Sequence, residues 1–69
     1  MNKIRYINLC IVEFSKKFKM PAKMGFNYLK QYGGINFIDK CYEAEHQMSL
    51  EETIRDLVKV CKRSGGTLA

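Results

Sequence analysis

Sixty-nine residues leave room for one small domain, because a chain of this length buries only about 60% of the surface its unfolded form exposes. With 46% hydrophobic and 28% charged residues the chain reads as folded rather than as a disordered tail, and its length excludes a barrel, a dinucleotide-binding fold or a two-domain enzyme. The net charge of +5 is unevenly spread, with +6 in residues 1–30 and −1 in residues 31–69, so the basic half either binds a nucleic acid or an acidic protein or, the plainer reading, faces its own acidic half.

The first predicted helix covers residues 3–18. Ile4, Ile7, Ile11, Phe14 and Phe18 recur at steps of three and four and share one stripe. Lys16, Lys17 and Lys19 sit at its C-terminal end, where cations suit the helix dipole. At about 100° per residue, Leu9 and Val12 fall on the far side, flanked by Arg5 and Lys16. Two apolar neighbours inside a basic rim make Arg5, Leu9, Val12 and Lys16 a candidate interface. It suits a second copy across a two-fold axis or an acidic protein, unless the last helix folds across it.

Pro21 opens a second helix at residues 21–32, since proline is tolerated at a first helical position. Ala22, Phe26 and Leu29 share a face, and Gly25 beside them marks a close crossing with another backbone. Gly33 and Gly34 end the helix. A third helix is predicted over residues 35–47, with Ile38, Cys41, Tyr42 and Glu45 on one line and Phe37, Cys41, Ala44 and Met48 on another. Ser49 and Glu52 form a capping box for a fourth helix at residues 50–63. Its stripe is Leu50, Ile54, Leu57, Val58 and Cys61, and Gly65-Gly66 stop it. Residues 65–69 read as a flexible tail. The expected architecture is all-α, a compact four-helix domain.

The chemistry is sparse. Cys10, Cys41 and Cys61 are odd in number and lie in apolar stretches, which suits buried free thiols in a reducing compartment. His46 is the only histidine, and no C-x-x-C or H-x-x-x-H spacing accompanies it, so no metal and no cofactor is expected. A cap at the junction of the third and fourth helices, with Glu45 or Asp56 nearby, accounts for it better. Glu43 with Glu45, and Glu51 with Glu52, do not face one another on a helix and read as solvated. No phosphate loop or nucleophile elbow occurs, and the chain is not expected to be an enzyme. Segments two and three resemble a helix-turn-helix in outline, but Asp39, Glu43 and Glu45 against Lys40 disfavour contact with phosphate. No run of about 20 apolar residues suggests a membrane span, and no signal-peptide cleavage site follows the first apolar stretch; a cytoplasmic protein is expected.

The stretch from Tyr28 through Tyr32-Gly33-Gly34 to Ile38, the segment Tyr42-Glu43-Ala44-Glu45-His46, then Asp56-Leu57 and Cys61–Gly66 resemble a family of short bacterial proteins of unknown function. The resemblance runs from about Ile7 to Gly66 and singles out Tyr32, Gly33, Gly34, Tyr42, Glu45, His46 and Asp56 as motif positions. It implies a stand-alone cytoplasmic protein, sometimes encoded beside ADP-ribosyltransferase-like proteins in toxin–antitoxin-like arrangements. It supplies no catalytic residue. The expected function is therefore a protein-interaction module, an antitoxin-like or accessory partner of a neighbouring enzyme. The alternative is a nucleic-acid-binding protein using the basic N-terminal half.

Overall fold

The computed structural model describes residues 2–67, which form five helices and no strand. These are α1 (Lys3–Lys17), α2 (Ala22–Gln31), α3 (Gly34–Lys40), the single turn α4 (Tyr42–Glu45) and α5 (Leu50–Arg63). The all-α expectation holds. The number of helices does not, because the third predicted helix is two.

Asn2 starts α1 by accepting the Arg5 backbone N–H at 2.9 Å. The helix buries Tyr6, Cys10, Ile11, Phe14 and Ser15, while Ile4 is 73% exposed. Of the predicted stripe, Ile11 and Phe14 are buried and Ile7 and Phe18 pack half-buried against the core, so Ile4 alone departs from it, while Tyr6 and Cys10 join it. Tyr6 is drawn inward because its hydroxyl meets Thr53 Oγ1 at 2.9 Å, which satisfies a buried polar group.

Pro21 is the N-cap of α2 rather than its first helical residue. Gly25 and Leu29 face inward, whereas Ala22 and Phe26 are exposed, which corrects the predicted face. Lys30 Nζ lies 6.0 Å from the Phe26 ring, over its face. Gly25 does mark a crossing: a Cβ there would run into the Ser15 side chain of α1. Ser15 in turn donates to the Ile11 carbonyl at 2.7 Å. Gly33, at φ 81, takes the left-handed conformation expected between α2 and α3.

Cys41 separates α3 from α4 at φ −102 and ψ 17. The predicted helix over 35–47 runs through this point because no glycine or proline marks the break. The break re-aims the next turn. Ile38 and Glu45 are buried, Tyr42 is half-buried, and Ala44 is exposed. Lys3 of α1 ties down α3 through Asp39 at 2.9 Å.

Ser49 caps α5 as expected, accepting the Glu52 N–H at 3.2 Å and donating to the Glu52 carboxylate at 3.1 Å. Thr53, Ile54, Leu57 and Cys61 are buried, and Leu50 and Val58 are half-buried. Together with Phe14, Leu29, Ile38 and Cys10 they make the core. Cys10 and Cys61 are buried free thiols; Cys41 is only partly covered. Gly65, at φ 100, stops α5. Of the predicted tail, Leu68 and Ala69 lie outside the described residues. Among the described residues no helix is long and apolar enough to cross a membrane.

Candidate functional site

Where α1, α4 and α5 meet, a polar relay is sealed inside the apolar core. Thr53 is fully buried and donates through Oγ1 to the Glu45 carbonyl at 3.3 Å, so Tyr6 donates to Thr53. Burial pushes the Tyr6 hydroxyl up to about 12. Burial likewise pushes the neighbouring Cys10 thiol up to about 11, which leaves it protonated and inert.

Glu45 is the exceptional member. Its side chain is 5% exposed, and its Oε1 has no hydrogen-bond partner among the described residues. Burial first, then the hydrogen bond and charge of Asp56 beside it, push the Glu45 carboxyl up to about 7. Reading Glu45 as a solvated residue is therefore corrected. The partner that matters is not Glu43 two residues away but Asp56 on another helix, a pairing no local spacing reveals.

His46 is exposed, and its Nδ1 lies 2.7 Å from the Tyr42 carbonyl. Its ring stacks on Tyr42 at 4.5 Å and meets Tyr6 edge-on at 6.4 Å. The histidine thus stands at the C-terminal end of α4, held to the Tyr42 carbonyl of its own turn. Tyr6, Tyr42 and His46 form one wall of a shallow hollow of about 270 Å³, completed by Leu9, Met48 and Leu50. Leu9 is half-buried, while Val12 remains 40% exposed. Arg5 and Lys16 are exposed on either side, and Lys16 pairs with Glu13 at 3.7 Å.

Beside this face runs a groove of about 680 Å³ between α1 and α5. Glu13 and Lys17 line it from α1, and Leu50, Ile54 and Val58 form its apolar floor on α5. Arg55, Lys59 and Lys62 edge the floor. The sequence singled out the floor residues Leu50, Ile54 and Val58 as part of the last helix's stripe, but not the charged rim beside them. The signal was present in the strip one residue out of phase with the predicted core, Glu51, Arg55, Lys59 and Lys62.

Of the motif positions, Tyr42, Glu45, His46 and Asp56 gather at the α4–α5 junction. Tyr32, Gly33 and Gly34 stand apart at the α2–α3 turn. Gly34 is buried there, and a Cβ on it would crowd Leu29 and Cys61. No group of three or more His, Cys, Asp or Glu among the described residues is placed to hold a metal ion.

Residues 5–64 match the model of a family described as proteins of unknown function, DUF3791, and the chain belongs to that family. No curated protein and no solved structure matches the chain.

Proposed function

We propose that the chain is a protein-interaction module rather than an enzyme. It would act in the cytoplasm as an antitoxin-like or accessory partner of an enzyme encoded beside it. The observation that carries this reading is the open α1 face: half-covered Leu9 and exposed Val12 between Arg5 and Lys16, continuous in sequence with Glu13 and Lys17 of the α1–α5 groove. Apolar side chains framed by long cations have the make-up of an interface core and its rim. The bacterial setting and the toxin–antitoxin arrangement come from the resemblance of the Tyr32-Gly33-Gly34 and Tyr42–His46 segments.

The test is co-expression with the product of the adjacent gene, followed by capture of a tag on this chain. The partner is expected to co-elute. Leu9→Glu with Val12→Glu is expected to release it while circular dichroism stays helical. No captured partner, or an unfolded double variant, contradicts the reading.

A second reading rests on a different observation. Lys16, Lys17, Lys19 and Lys23 are all exposed around the turn between α1 and α2. Lys19 holds a left-handed conformation, φ 54, that glycine adopts more readily. Such a corner suits phosphate contact, and affinity for RNA or DNA that falls steeply with salt is its signature. A gel shift absent at low salt removes it.

A further inference from the structure

Resting on the interaction reading, we propose that the groove between α1 and α5 receives an acidic amphipathic α-helix of another protein. Leu50, Ile54 and Val58 follow one another at four-residue spacing along the groove floor. At 1.5 Å per residue that line is about 12 Å long, enough for two turns of an opposing helix. Leu50 and Val58 are only half-buried, so the floor is not fully used by the chain's own core.

Charge selects the occupant. Arg55, Lys59 and Lys62 run beside the apolar line on α5, and Lys17 faces them from α1. All four are exposed, and none has an ion-pair partner among the described residues. Of the two acids in the lining, Glu13 is held by Lys16 at 3.7 Å. Only Glu51, at the N-terminal end of α5, remains to oppose the four cations. A second copy docked groove to groove would set these cations against their own images, because a two-fold contact repeats the same patch on both sides. A nucleic-acid strand would meet the cations and leave Leu50 and Val58 without a partner. A helix with an apolar stripe and acidic flanks answers both features, in the manner of helix-in-groove recognition.

The probe is a labelled helical peptide of about four turns with leucines at i, i+4 and i+7 flanked by glutamates. Its counterpart carries lysines at the flanks, and a single-stranded oligonucleotide of matching length is the third arm. In fluorescence anisotropy the acidic peptide is expected to bind at least about tenfold more tightly than its lysine counterpart, less so as salt rises. Arg55→Glu with Lys59→Glu is expected to lose about tenfold while circular dichroism is unchanged. Should that variant unfold, Lys17→Glu with Lys62→Glu poses the same question from both walls. Equal affinity for both peptides, preference for the oligonucleotide, or unaltered affinity in the charge-reversed variants overturns the proposal. The same charge-reversed variants separate the two claims. If they still capture a co-expressed partner, the groove is wrong and the interaction reading stands. If the unaltered chain captures nothing, that reading itself falls.

Discussion

The two seams that α1 makes with its neighbours are built on opposite principles. Against α2, Gly25 presents no side chain, so the Ser15 hydroxyl sits where a Cβ would be, and Phe14 stacks on Tyr28 with ring centres 5.7 Å apart. Against α5, Tyr6 meets Thr53 at 2.9 Å, and Cys10 and Phe14 share the core with Leu57 and Cys61. Elsewhere Glu13 and Lys17 face Arg55, Lys59 and Lys62, and long hydrated side chains line a groove instead of meeting. The difference lies in the residues at the contact line. Small or mutually bonded groups bring the helices together, and long charged side chains edge the groove where α1 and α5 part.

The strongest way to break this contrast is at the closed seam. Gly25→Val drives a branched side chain into Ser15 and is expected to cost about 3 kcal/mol, read from a urea midpoint at unchanged slope. Ser15→Ala in the same background is expected to recover part of the loss, and full additivity of the two changes contradicts direct contact.

Next comes the closed end of the open seam, where the carboxyl of Glu45 is buried against Asp56, with Glu52, Tyr6 and Cys10 around it. The folded chain holds the Glu45 proton up to about pH 7, against about 4.5 for the free group. The unfolded state therefore binds fewer protons across that window, and stability falls as pH rises through it. Glu45→Gln is expected to flatten this slope and leave the variant more stable than the parent at pH 8. A parent whose stability climbs from pH 5 to pH 7 contradicts the assignment.

Smaller effects lie at the helix ends that frame the groove. Ser49→Ala removes the α5 cap and is expected to cost about 1 kcal/mol. Lys19→Gly is expected to stabilise by somewhat under about 1 kcal/mol. The ends of α1 and α5 have the same hydrogen bonds, Met20 N–H to Ser15 at 3.0 Å and Gly66 N–H to Cys61 at 2.8 Å, but lysine occupies the left-handed position in one and glycine in the other. Thermal midpoints of the two variants moving in the same direction would contradict this account of the ends.

Local chemistry was legible in the sequence to the extent that local chemistry decides. Ser49, Gly33 and Gly65 act within a few residues of themselves, and each stands where its cap or turn was expected. Gly25 also marked its crossing, because a glycine inside a helix is costly without a close neighbour. The break at Cys41 was not legible, since apolar positions continue through it and no residue there forbids a helix. Nor was the inward turn of Tyr6 and Glu45. Their partners, Thr53 for the one and Asp56 for the other, come from α5, and a periodicity count scores a hydroxyl or a carboxyl as outward. Leu9 is half-buried and Val12 exposed on α1, and the groove beside them needs two helices and could not be read from either.

The central claim, that the open side of α1 and α5 is where a partner sits, is tested most directly by hydrogen–deuterium exchange of the chain alone and in complex with its co-purified partner. The account predicts slowed exchange along α5 and in the α1 segment from Leu9 to Lys17, with α2 and α3 unchanged. Protection confined to α2 and α3, with the exchange of α5 unaltered, would contradict it.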